Sequence, residues 1–125
     1  MILGVGIDLI EVARVEHSIE RFGERFLRRV LLESEIRYCL AHKRPGPHVA
    51  ARFAAKEAVS KAFGTGIGGQ LGWHDIEVER KESGEPFVTL RDKACELMKA
   101  RGAQKLHLTL SHTEHHATAF VILEA

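Results

Sequence analysis

Within "VAARFAAKEAVSKAFGTGIGG", from Val49 to Gly69, Glu57 and Lys61 stand four residues apart on what reads as an alanine-rich helix. That spacing places a carboxylate and an ammonium on one helical face. An exposed ion pair worth ~0.3–0.5 kcal/mol would account for it alone. A second carboxylate, Asp8, closes the strand-like "MILGVGIDLI" on the face that also carries Gly4 and Gly6. By itself it reads as a cap for the following helix. Together the three residues say more. A helix thinned by Ala50, Ala51, Ala54, Ala55 and Ala58 can lie close against a strand face cleared by glycine. That contact would bring Asp8 to Glu57. Two carboxylates from separate elements suit a hard cation held by oxygen. Lys61 and the "GTGIGG" run beyond it add a phosphate environment. The glycines follow the helix rather than precede it, so they form neither a dinucleotide fingerprint nor a Walker loop. The chemistry indicated is a metal ion acting on a phosphate.

The elements that must position these groups are legible in outline. Met1 to Ile10 alternates as a strand, with Met1, Leu3, Val5, Ile7 and Leu9 on the face opposite Asp8. Glu11 to about Val30 reads as one charged helix, and Glu33 to Ala41 as a second. "HKRPGPH" is a turn between helices, since Pro45 and Pro47 stop one and admit the next. The alanine-rich helix runs from about His48 to Phe63, with Gly64 as its C′ glycine. "DIEVERK" and "PFVTL" read as strands joined at Ser83-Gly84, and "RDKACELMKARG" as a helix closed by Gly102. "KLHLTLSHT" and "HHATAFVILE" alternate as a terminal hairpin. The expected class is α+β, an antiparallel sheet with helices packed on it.

Composition narrows the setting. A chain of 125 residues, 45% hydrophobic and 28% charged, is sized for one domain spanning 1–125. A net charge of +1 supplies no global field for nucleic acid. The apolar runs are too short to span a bilayer, and the start lacks the basic region and cleavage site of a secretory signal. Cys39 and Cys95 have no metal-ligand spacing and read as reduced, buried thiols, which points to a cytoplasmic protein. His107, His115 and His116 read as exposed strand histidines rather than a transition-metal site, because no cysteine joins them.

Three blocks carry a resemblance. "GIDLIEVARV", "RFAAKEAVSKAFGTGIG" and "LSHTEHHATAFVI" resemble, in order and spacing, the holo-acyl-carrier-protein synthases, the small 4′-phosphopantetheinyl transferases. The likeness covers essentially the whole chain. It implies transfer of the 4′-phosphopantetheine arm of coenzyme A to a serine of apo acyl carrier protein, in support of fatty acid biosynthesis. Adenosine 3′,5′-bisphosphate would leave. Asp8 and Glu57 match the family's ligands for Mg²⁺, and Lys61 its position for offsetting phosphate charge. A water held by the cation, or Glu57 itself, would take the serine proton. Glu57 and Lys61 are thus the expected catalytic residues.

The same resemblance extends to binding residues. Lys43 and Arg44 can meet the 3′-phosphate of coenzyme A or merely decorate their turn. Arg52 can bind nucleotide phosphates or point outward. Gly64, Thr65 and Gly66 can let backbone approach the ligand or only end the helix. Ser111, His112 and Thr113 can bond phosphate or adenine. Arg14, Arg21, Arg25 and Arg28 recur on one face of the first helix among Glu16, Glu20 and Glu24. Carrier proteins are acidic, so Arg14 and Arg21 become docking residues, whereas a solvated helix with i,i+4 pairs is the plain alternative. The family further implies a homotrimer with active sites at subunit junctions. A last strand apolar on both faces, with Ala117, Ala119, Val121 and Leu123 opposite Phe120 and Ile122, is consistent with it. A module that binds coenzyme A without turnover, and an interaction protein whose charged helix docks an acidic partner, are the other classes.

Overall fold

The computed structural model describes residues 1–125. In chain order the elements are β1 (Ile2–Glu11), α1 (Val12–Phe22), α2 (Glu24–Val30), α3 (Glu33–Leu40), α4 (Gly46–Phe63), a 3-10 turn (Trp73–Asp75), β2 (Ile76–Arg80), β3 (Pro86–Leu90), α5 (Lys93–Arg101), β4 (Lys105–His112) and β5 (His116–Glu124). β5 lies between β1 and β4, antiparallel to both. The α+β expectation holds, but the strands form two sheets, because β2 and β3 pair only with each other. A side chain closes the free edge of β2: Val78 N–H donates to Glu35 Oε2 at 2.8 Å.

α4 is the spine. Its alanines let it lie against β1 and β5, where Ala54, Ala55, Ala58 and Ala62 share a core with Ala119, Val121 and Leu123. Nearer its start, Val49, Ala50 and Ala51 join Val12, Val15, Leu27, Val30 and Ile36 in a second core. The strand comes so close that a Cβ on Gly6 would stand 1.9 Å from the Ala58 carbonyl oxygen, and one on Gly4 2.0 Å from that of Ala62. Glycine on β1 is therefore a condition of the contact that puts Asp8 beside α4.

Two expectations are corrected. The helix from Glu11 to Val30 is broken at Gly23, whose φ of 58° lies in the left-handed region. The break turns α2 so that Leu27 and Val30 reach the core with Leu31 and Ile36. Cys95 is exposed, while Cys39 is buried and burial pushes its thiol up to about 11. α4 covers one face of the three-stranded sheet. On the other, Val5, Ile7 and Leu9 are 52%, 59% and 67% exposed beside Phe120. No helix is long and apolar enough to cross a membrane.

Candidate active site

The close seam between β1 and α4 brings Asp8, Glu57 and Lys61 together. Lys61 Nζ donates to Ile7 O at 2.9 Å and to Asp8 Oδ1 at 3.1 Å. The lysine, which the sequence placed only on the Glu57 face, is thus also the direct partner of Asp8. Burial pushes the Glu57 carboxyl above its ordinary value, and the Asp8 charge adds to this, while Lys61 offsets part of it. The three residues line one cavity of about 460 Å³, with Arg14, Phe26 and Phe53 among its other walls. Arg14 therefore stands at the same cavity as the two carboxylates. Arg21 lies elsewhere on α1, exposed, with its guanidinium 5.2 Å from the Phe22 ring centre.

The break at Gly23 alters the basic face read from the sequence. Arg25 and Arg28 stand on α2, not in line with Arg14 and Arg21. Arg28 is also engaged, with Glu33 at 3.0 Å and Glu24 at 3.6 Å.

The charges of α4 divide by face. Lys56 is fully buried and donates to Glu35 Oε1 at 2.7 Å, Val30 O at 2.8 Å and Trp73 O at 3.1 Å. It is structural, joining α4 to α3 and to the 3-10 turn. Burial pulls its pKa down and the Glu35 charge opposes that shift. Trp73 in turn packs on Phe53, with ring centres 5.0 Å apart, so this network borders the wall of the first cavity. Glu77 is also buried; desolvation raises its pKa, but hydrogen bonds from Ser34 and Arg91 together with the charges of Arg91 and Lys56 hold it below the usual carboxylate range.

Arg52 is not the outward helix arginine of the plain alternative, being 2% exposed. Its guanidinium lies 4.1 Å from the Tyr38 ring centre, Nη1 donates to His48 O at 3.4 Å, and Nε has no partner. It lines a second cavity, about 340 Å³, with Tyr38, Glu77 and Arg80; this cavity shares no wall residue with the first. Arg44 clamps its turn to α1, donating to both Glu16 carboxylate oxygens (2.9 and 3.0 Å) and to Glu114 O (3.2 Å). Lys43 is exposed. Ser111, His112 and Thr113 are exposed at the β4–β5 hairpin, where Thr113 Oγ1 accepts the His115 and His116 N–H groups.

The amides that open the glycine loop serve the helix end. Gly64 N–H goes to Lys61 O, and the Thr65 and Gly66 N–H groups both go to Ser60 O. These amides close the helix end, with φ of 77° at Gly64 and 67° at Gly66. The Thr65 hydroxyl donates to Gly66 O.

Sequence reasoning missed Phe26 and Phe53, because an aromatic residue on an apolar helix face gives no local sign that it borders a cavity. It also passed over Tyr38, His42, His48 and Arg80. The one sign available was a histidine at each end of "HKRPGPH".

A family model described as the 4′-phosphopantetheinyl transferase superfamily matches residues 4–121. A holo-[acyl-carrier-protein] synthase of Koribacter versatilis is 50% identical over 124 residues, 99% of each chain. The crystal structure of the Neisseria meningitidis holo-[acyl-carrier-protein] synthase aligns with a TM-score of 0.93 at 31% identity, over all of both chains. That of the Helicobacter pylori enzyme in complex with coenzyme A aligns with a TM-score of 0.85 at 37% identity, over 96% of this chain and 99% of that one. With the match extending from the β1 glycines through the α4 charges to β5, the chain belongs to the 4′-phosphopantetheinyl transferase superfamily.

Proposed function

We propose that this chain, as one transferase domain over residues 1–125, is a holo-[acyl-carrier-protein] synthase. It moves the 4′-phosphopantetheine arm of coenzyme A to a serine of apo acyl carrier protein, releases adenosine 3′,5′-bisphosphate, and serves fatty acid biosynthesis. The observation that carries the reading is the convergence of Asp8, Glu57 and Lys61 on one cavity that Arg14 also lines. The identity to enzymes of that name, one of them solved with coenzyme A, supports it.

In the reaction the serine oxygen bonds to the β-phosphorus and the pyrophosphate bridge breaks. Positioning and charge neutralisation do most of the work. Glu57, or a water in the same cavity, takes the serine proton. Lys61 places an ammonium at the transferred or departing phosphate as a compact point charge. Asp8 and Glu57 suit a hard divalent cation, with carboxylate oxygens from two elements close enough to perturb one another. Mg²⁺ takes few protein ligands, so two carboxylates suffice beside the phosphate oxygens of the coenzyme. When bound there, Mg²⁺ supplies neutralisation of the pyrophosphate.

Lys43, Arg44, Arg52, Ser111, His112 and Thr113 receive the nucleotide end of coenzyme A, with Arg52 the unpaired buried cation among them. Gly64, Thr65 and Gly66 contribute room beside Lys61, since nothing lies within 4 Å of a Cβ at either glycine. Arg14 and Arg21 dock the acidic carrier. The two cavities share no wall, and the open face of β1 and β5 is apolar. Both features support a homotrimer in which one copy's nucleotide edge completes its neighbour's cavity. Free cysteines suit a cytoplasmic setting, and a net charge of +1 supplies no global field for nucleic acid.

Intact-mass measurement of apo carrier protein incubated with the chain, coenzyme A and Mg²⁺ tests the reading. Gain of one phosphopantetheine arm is expected, together with adenosine 3′,5′-bisphosphate. Coenzyme A bound but never consumed would make the chain a binding module instead.

A further inference from the structure

The residues assigned above to the nucleotide end of coenzyme A come from three places: the α3–α4 turn with Lys43 and Arg44, α4 with Arg52, and the end of β4 with His112. One residue joins all three. His42 and His48 stand at opposite ends of the turn and stack face to face, ring centres 3.6 Å apart and planes 24° apart. The stack clasps the turn from which Lys43 and Arg44 project. The His48 ring also meets His112, with centres 5.6 Å apart at 64°. Its main-chain carbonyl accepts from Arg52 Nη1 at 3.4 Å. Tyr38, on which Arg52 lies, sets its edge against both His42 and His48, at 4.9 and 6.0 Å.

We propose that His48 is a positioning residue for coenzyme A: by stacking on His42 and meeting His112 edge-on, its ring fixes the α3–α4 turn and β4 relative to α4. The proposal rests on the coenzyme site assigned above. Its chemistry suits the place. Burial first, then the neighbouring His42, His112, Arg52 and Arg80, hold the imidazole neutral, with its pKa down at about 4. A flat, uncharged ring can stand among guanidiniums without adding to the charge they present to an anion. An aliphatic side chain would leave His42 without its stacking partner and His112 without its edge contact.

The test uses the full chain, with coenzyme A affinity by calorimetry and steady-state kinetics on carrier protein. His48→Ala should weaken coenzyme A binding roughly two- to tenfold, the range for losing one aromatic pair or so, and raise KM for coenzyme A in step. kcat at saturating coenzyme and KM for the carrier should stay within about twofold, because the Asp8–Glu57–Lys61 cavity is untouched. His48→Phe, which keeps a flat ring, should recover most of the affinity; a residue needed only for folding would not split the constants this way. His42→Ala, at the outer end of the stack, should repeat the loss and carries the test if His48→Ala fails to fold. Arg52→Ala is the reference. If it loses coenzyme A while His48→Ala and His42→Ala bind normally, the positioning role is overturned. If Arg52→Ala also binds normally, the site assignment falls and takes the positioning role with it.

Discussion

Gly6→Ala should damage both the fold and the chemistry, by an amount that follows from one contact. The added Cβ would stand 1.9 Å from Ala58 O, 2.8 Å from Ala62 N and 2.9 Å from the Ala58 carbonyl carbon. An ordinary C···O contact needs ~3.3 Å, so β1 and α4 must separate by about 1.4 Å. All three obstacles are backbone, so no side chain can rotate aside. Overpacking of this kind costs ~1–3 kcal/mol, and the rigid obstacle argues for ~3 kcal/mol or more. Asp8 lies two residues along the strand, and Glu57 and Lys61 flank Ala58 on the helix. A displacement of ~1 Å at reacting groups can cost ~100-fold in rate, so kcat should fall on that scale in whatever protein remains folded. Urea unfolding and steady-state kinetics measure the two effects. Gly23→Ala is the control: nothing lies within 4 Å of its Cβ, and only its φ of 58° is strained. With ψ at −133° the strain should cost ~1–3 kcal/mol, and kcat should stay unchanged. If Gly6→Ala unfolds within ~0.5 kcal/mol of the parent and turns over normally, the close strand–helix contact does not position the site.

The other predictions concern charge. Asp8→Ala and Glu57→Ala should each abolish most transfer at ordinary Mg²⁺ while remaining folded by circular dichroism. In the metal-free protein Glu57→Gln should raise thermal stability. Because folding raises the Glu57 pKa, its ionised form is penalised in the native state. The Gln variant's advantage should therefore be absent below the unfolded value near 4.5, grow as pH rises through the raised folded value, and then stay constant. Arg14→Glu should raise KM for the carrier far more than KM for coenzyme A, and the parent's carrier KM should rise with salt, as kinetics over a salt series would read. Lys56→Met should lower unfolding free energy by ~3–5 kcal/mol in urea, since it leaves the buried Glu35 charge without its ammonium. The double variant with Glu35→Gln should recover part of that loss.

The parts of this architecture visible in the sequence are those written in local pattern. Glycines alternating with Asp8 on a strand, and alanines beside Glu57 and Lys61 on a helix, forecast a close seam, and the seam is there. Strand alternation located the hairpins, and Gly64 and Gly102 marked the helix ends. What was hidden depends on distant partners. Lys56 looks like any helix lysine until Glu35, Val30 and Trp73 close around it. Gly23 breaks a periodic helix without disturbing its pattern, because a glycine between charged turns is compatible with continuation. The second sheet meets Glu35 at the free edge of β2, and that partner lies 43 residues from Val78 in the chain. Arg52 could be weighed only as bound or exposed; its burial over Tyr38 comes from a helix pairing that no spacing announces.

The central claim is that Asp8, Glu57 and Lys61 form the place where the coenzyme's pyrophosphate is broken, with Lys61 acting on the charge that develops there. Single-turnover transfer by Lys61→Met, with coenzyme A affinity measured on the same protein, tests it most directly. The substitution keeps the stem that spans from α4 to β1 and removes the ammonium now bonded to Asp8 and Ile7 O. The rate should fall roughly 100-fold or more, the scale of losing one transition-state electrostatic donor, while coenzyme A affinity changes far less. Lys61→Arg should recover only part, since a planar fork does not occupy a point charge's position. A Met variant that transfers the arm at the parent's rate would contradict the account and leave Lys61 as an ordinary partner of Asp8.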